Sequence, residues 1–209
     1  MNSETKPAAR RAYKKRARAE QEEATRKRIT EAAVKLHGSV GPALTTVSGV
    51  AREAGVQRAT VYRHFPDEVS LFAACSAHYW ASHPLPDIEA LATVSDRTER
   101  LRRGLTDFYD FFAQNAEMLD KTSLDAHLVP AMAAPREAFL GFVGMAAEIL
   151  VAGRRERGAA RRRVVAAVGH ALSFGTWQSL TGTHGLSNTE AVAVMAAMVE
   201  AAGAARPRP

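Results

Sequence analysis

The polar side chains of the stretch Gln57 to Phe65, QRATVYRHF, are of the kinds that read nucleic acid. Wound as a helix, the stretch turns Val61 and Phe65 to one side and leaves Arg58, Ala59, Tyr62 and Arg63 on the other. The major groove of DNA admits one helix, and its base edges are met by side chains near that helix's N-terminal half. Arg58 can donate a bidentate fork to a guanine. Ala59 lets the backbone approach and can touch a thymine methyl, while Thr60 and Tyr62 can hydrogen-bond to phosphate or base. Arg63 and His64 complete the DNA-side set, with phosphate as the alternative to a base for His64. On an ordinary helical corner the same residues would be a solvated basic face. Other chemistry finds little support: the histidines at 37, 64, 78, 83, 127, 170 and 184 show no metal-binding spacing. There is also no glycine-rich phosphate loop and no G-x-S-x-G elbow. No catalytic residue, metal or cofactor is expected.

A reading helix needs a partner that sets its angle. Val47, Val50, Ala51 and Ala54 lie at i, i+3, i+4 and i+7, one buried helical face, with Thr45 or Thr46 as N-cap. Gly55 stands where a chain leaving a helix needs positive φ, and Ala51 is small enough for a second helix to cross closely. The second helix begins at about Gln57, with Val56 at the corner. This is the pattern of a helix-turn-helix, and Thr46 joins the residues expected on its DNA side.

From Arg28 to about Tyr79 the chain resembles the DNA-binding domain of the TetR family of bacterial transcription regulators. The resemblance is carried by Ile29, Ala32, Ala33 and Leu36 of a first helix, by the run T-x-x-x-V-A-x-x-A-G-V from Thr46 to Val56, and by T-V-Y-R-H-F from Thr60 to Phe65. It implies an all-α protein: an N-terminal three-helix DNA-binding domain followed by a helical ligand-binding and dimerisation domain. Three departures from the family pattern, at four positions, stand out. Gln57 replaces a serine N-cap, which should weaken the start of the helix by about 1 kcal/mol. Glu68 stands where the family often has a phosphate-gripping lysine, and Ser48 and Gly49 are unremarkable residues at positions where a family member can carry an extra base or phosphate contact, which leaves readout from the first of the two helices open.

Charge is unevenly placed. Residues 1–28 carry ten Lys and Arg against four Glu, whereas Ile29 to Cys75 holds four of each sign. The helix-turn-helix therefore has no net charge to offer DNA, and phosphate neutralisation dominates affinity. Arg10, Arg11, Lys14, Lys15, Arg16 and Arg18 are expected to order on DNA, with a solvated tail as the alternative. The expected organisation is a basic arm at 1–27, disordered without DNA, a DNA-binding domain at 28–83, a regulatory and dimerisation domain at 84–203, and a disordered tail at 204–209.

A chain of 209 residues with 46% hydrophobic residues can bury a sizeable core. Cys75, the single cysteine, is expected on an inward helical face with Leu71 and His78, in keeping with a reducing cytoplasm. No apolar run follows the N-terminal basic residues, which argues against a signal peptide. Val164 to Thr189 lacks charged residues but is too polar to cross a membrane, being interrupted by His170, Ser173, Gln178, Thr181 and His184.

In the second half, Pro84 and Pro86 mark a connector. Ser95 should cap a helix bearing Leu101, Leu105, Phe108 and Phe112, and Asn115 should cap a short helix through Leu124. Phe139, Phe142, Val143, Ala146, Ile149 and Leu150 form the stripe of a long helix. Arg154 to Arg163 reads as a solvated loop or helix start. Val164, Val168, Leu172, Gly175 and Ser179 suggest one helix, and Val192, Met195, Ala196 and Val199 another, capped by Asn188 or Thr189. These last two helices are expected to form a homodimer interface, so that two reading helices meet a palindromic operator in double-stranded DNA. The resemblance further implies a small-molecule ligand in this domain. Apolar walls are expected from Phe108, Phe112, Met118, Leu128, Phe139, Phe142, Phe174 and Trp177, and polar contacts from Asn115, His127, His170 and Gln178. That mix suits a small, largely apolar ligand. A regulator without a ligand, or an activator in place of a repressor, would read the same way.

Overall fold

The computed structural model describes residues 5–204, with side chains from Arg11 onward, and all regular structure among them is helical. The chain divides into two compact units. One comprises the chain up to Ser82 together with Lys121–Met132, and the other comprises His83–Asp120 and the chain from Ala133.

The first unit contains α1 (Thr5–Ser39), α2 (Val47–Glu53), α3 (Arg58–His64) and α4 (Glu68–Ser82). Its core is small and tightly specified: Ile29, Ala32, Ala33, Val50, Ala51, Val61, Phe65, Leu71 and Cys75 are all buried. Helix α1 packs against α2 and α4 through its C-terminal half, and α2 packs against α3. The N-terminal half of α1 has no apolar face. Where an arm disordered without DNA is expected, the chain from Thr5 onward is a continuation of this helix. Alanine, lysine, arginine and glutamate are strong helix formers. The pairs Arg16–Glu20, Arg18–Glu22 and Lys27–Glu31 add i,i+4 support. The tail expected to be disordered at 204–209 lies outside the described residues beyond Ala204.

The second unit is built on α6 (Arg97–Gln114), which buries Leu101, Leu105, Phe108, Tyr109, Phe111 and Phe112 on one side. Around it lie α5 (Ile88–Ala92), α8 (Ala133–Val151), α9 (Gly158–Ala171), α10 (Phe174–Gln178) and α11 (Asn188–Ala204). Helix α7 (Ala116–Asp125) begins in this unit and ends in the first.

Several local expectations are corrected here. Asp96, not Ser95, caps α6, its carboxylate accepting from the Glu99 amide at 2.7 Å. Asn115 does stand directly before α7, its carbonyl accepting from the Leu119 amide at 2.9 Å, and its side-chain amide also donates back to the Phe111 carbonyl at 2.7 Å. The helix expected through Ser179 breaks at Leu172, and the Tyr109 hydroxyl takes up the freed Ala171 carbonyl at 3.1 Å. Gly175 and Ser179 are exposed as a result. At the start of α11 the cap is Ser187, whose hydroxyl accepts from the Glu190 amide while the Glu190 carboxylate accepts from the Ser187 amide. Arg154, placed by sequence in a solvated stretch, is buried and forks onto Glu200 with Glu156 beside it.

Candidate nucleic-acid interface

Helices α2 and α3 are joined by the four residues Ala54 to Gln57. The Thr46 hydroxyl accepts from the Gly49 amide at 3.0 Å and so caps α2. Gly55 takes φ +65°, a conformation an L side chain resists, and the Val56 amide returns to the Ala51 carbonyl at 2.9 Å. Gln57 stands at the N-cap of α3 without a side-chain bond, so this helix begins unassisted. What holds α3 is its underside: Val61 and Phe65 are almost fully buried.

That anchoring decides which residues face outward. Arg58, Ala59, Tyr62 and Arg63 are exposed, and Thr60 is half-buried. Arg58 donates from Nη2 to the Tyr62 hydroxyl at 3.0 Å, with its guanidinium 5.4 Å from the centre of that ring. One turn of α3 thus presents a guanidinium fork, a phenol and a bare methyl side by side, a set matched to guanine edges, phosphates and thymine methyls. Thr46 is exposed as well, but its hydroxyl is already engaged as the cap of α2.

His64 behaves differently from its neighbours. It is half-buried and its Nε2 is buried without a partner among the described residues, while its backbone carbonyl accepts from Arg26 Nη1 at 2.8 Å. The Arg26 guanidinium also lies over the Phe65 ring, 4.2 Å from its centre. A cation at the C-terminal end of α3 is favoured by the helix dipole. Arg26 thereby ties α1 to the end of α3. No motif in the sequence marks this role, because Arg26 lies 38 residues from His64 and reads there as one more basic residue of the arm.

Of the arm residues, Arg11, Lys14, Lys15, Arg16 and Arg18 are exposed on α1; the side chain of Arg10 lies outside the described residues. Arg18, Gln21, Glu22 and Thr25 of α1 line a groove of about 310 Å³ with Arg63 and His64 at the end of α3.

The residues expected to line a ligand site are only partly brought together. In the second unit Phe108, Phe112 and Trp177 are buried, with Phe142 and Phe174 packed on them at ring separations of 5.5 to 6.2 Å. Phe139 stacks on Phe111, a residue the sequence reading passed over. Asn115 is buried and Met118 half-buried. His170 faces the Thr176 hydroxyl at 3.3 Å, and Gln178 donates to Asp120 at 2.9 Å. His127 and Leu128 fall elsewhere: they are exposed in the turn after α7, in the first unit.

Residues 29–75 match the family described as bacterial regulatory proteins, tetR family. No curated protein matches the sequence. Among solved structures, a TetR-like transcriptional regulator from Rhodococcus sp. RHA1 superposes with a TM-score of 0.62 at 18% identity, over 87% of this chain and 97% of that one. NalD, the secondary repressor of the MexAB-OprM multidrug efflux pump in Pseudomonas aeruginosa, gives 0.57 at 20% identity, over 88% and 97%. FadR from Bacillus subtilis, solved with stearoyl-CoA, gives 0.53 at 17% identity, over 84% and 96%. The matched segment contains the whole of α2 and α3 with their buried anchors, so residues 29–75 carry the tetR-family DNA-binding pattern, and the fold of the chain around them is similar to that of these regulators.

Proposed function

We propose that the protein is a homodimeric, cytoplasmic repressor that holds a palindromic operator and leaves it when a small, largely apolar molecule binds in the second unit. The observation that carries the DNA half of this reading is the outward face of α3, where Arg58 and Tyr62 stand together over the buried Val61 and Phe65. One such helix reads only a few base pairs, so a two-fold pair is needed for useful discrimination. Val165 of α9 and Val194 and Met198 of α11 remain exposed, with the small Ala193 and Ala197 between them. An apolar, small-residue surface on these helices suits a helix-on-helix dimer.

For the ligand, the aromatic cluster around Phe112 provides apolar walls and Asn115, His170, Thr176 and Gln178 provide polar groups near its margins. FadR was solved with an acyl-CoA, which makes long apolar molecules a sensible first class to screen. A ligand acts only through a difference in affinity between the DNA-bound and released states. A ligand-independent regulator is the second reading, favoured by the full burial of Phe108 and Phe112.

Selection of random duplexes by the full-length protein at two salt concentrations tests the proposal. A recovered palindrome with two equivalent half-sites supports it and supplies the probe for ligand release. Binding without a consensus would remove the reading role of α3. Operator binding that no apolar ligand class weakens would leave the ligand-independent reading.

A further inference from the structure

The cations of α1 are not spread evenly around the helix. At 3.6 residues per turn, Arg11, Lys14, Lys15 and Arg18 fall on one side with Glu22, whereas Arg16 falls on the other with Glu20 and Glu23. One side therefore carries four cations against one carboxylate, and the opposite side one cation against two. Read as sequence alone, all of these arginines and lysines are equivalent members of a basic arm. Wound into a helix, they are not.

The orientation of that basic side is set by the domain. Gln21, Glu22 and Thr25 continue the same helical face toward the core, and with Arg18 they line the groove completed by Arg63 and His64 of α3. Arg26, in the next turn, is fixed by its bond to the His64 carbonyl and by the Phe65 ring. The row Arg11–Lys14–Arg18 thus extends the surface on which Arg63 is exposed.

We propose that α1 is a rigid helical outrigger, whose face of Arg11, Lys14, Lys15 and Arg18 binds the phosphate backbone of the duplex beside the reading helix, with Arg16 taking no part. This rests on the DNA-binding reading above and deepens it: the arm works as an oriented edge, not as a flexible chain entering the minor groove. Double-stranded DNA is the occupant that fits. The face is cationic and continuous with the exposed side of α3, and its only aromatic neighbour on the arm, Tyr13, points to the far side. From Arg18 to Arg11 the helix advances about 10 Å at 1.5 Å per residue. A duplex offers one phosphate charge per about 1.7 Å of its axis, so the row can follow the backbone for about three base pairs.

Arg16 and Arg18 form a matched pair for the test. Each donates to a glutamate four residues on, and each is 82% exposed in its side chain. Arg16→Gln and Arg18→Gln are compared in the full-length protein, on the operator recovered by selection, with Kd measured across a salt series. Arg18→Gln should lower the slope of log K against log salt by about 0.9 per protomer, and adding Arg11→Gln and Lys14→Gln should bring the loss to about 2.7. Arg16→Gln should leave the slope where it was. Equal losses from Arg16 and Arg18 would overturn the oriented face, and unchanged slopes in every variant would take the arm off the DNA; in both cases operator reading by α3 survives. If the unmodified protein selects no operator at all, the regulator reading itself fails and this one with it.

Discussion

The two units treat buried polar groups in opposite ways. The core of the first unit holds its ionisable groups neutral. His37, stacked on Phe72 at 4.5 Å, is pushed by burial down to about 4, and burial pushes the Cys75 thiol up to about 12. The second unit instead uses buried cations as internal struts: Arg154 forks onto Glu200 with Glu156 alongside, and Arg100 donates to the carbonyls of Val94 and Ala152. The difference separates two jobs for the same residue type. In the first unit Arg58 and Arg63 stay at the surface of α3, the face proposed to meet DNA. In the second, arginine is spent on closing the ends of helices.

The largest test of this contrast is Arg154→Ala. It leaves Glu156 and Glu200 facing an empty site, and breaking such a pair should cost about 3 kcal/mol, read by denaturant unfolding. Arg154→Met, which fills the space without the charge, should recover part of the loss. If both variants were neutral, the strut would be ornamental and the contrast between the units would collapse.

A similar magnitude, but with a pH dependence, is expected from His37. Between pH 6.5 and about 4 the unfolded chain takes up a proton that the folded core refuses, so stability rises with pH across that window. As pH falls through it, up to about 3 kcal/mol should be lost. His37→Leu should flatten the profile, as followed by thermal unfolding at a series of pH values. A profile unchanged by the substitution would place the acid-sensitive group elsewhere.

Arg58→Ala sharpens the contrast from the surface side. It should cost about 1 to 3 kcal/mol in operator affinity, concentrated at one base position per half-site, with unfolding unaffected. A loss spread evenly over all sequences would make Arg58 a phosphate contact. The smallest effect is expected from Thr46→Ala. Loss of the cap on α2 should reduce stability by about 1 kcal/mol, and operator affinity should fall only as far as folding does. A larger drop in affinity than in stability would mean that the Thr46 hydroxyl also touches DNA.

The helix-turn-helix was readable because its determinants are local. The i, i+3, i+4, i+7 spacing from Val47 to Ala54, the glycine at 55 and the pair Val61 and Phe65 all act within one or two turns of chain, and each is placed in the structure as the spacing requires. The second unit was less readable because its decisive bonds join distant positions. Tyr109 meets Ala171 across 62 residues, and that bond accompanies the break between α9 and α10. Trp177 donates to Asn188, which donates to Asp110, so an asparagine that resembles a helix cap is a link between helices. The ligand candidates suffered most, since aromatic residues at helical spacing look alike whether they line a wall or fill a core.

By itself the sequence determined the helical class, the α2–α3 pair and the outward residues of α3, and the excess of positive charge before Ile29, because periodicity, capping and charge are properties of neighbours along the chain. The tertiary structure alone decided that Arg26 clasps the end of α3, that His64 is half-buried, that Arg154 is an internal ion, and which side of α1 its basic face occupies. Those outcomes depend on which distant surfaces come into register, and packing against a partner helix, not spacing along the chain, sets the rotation of each face.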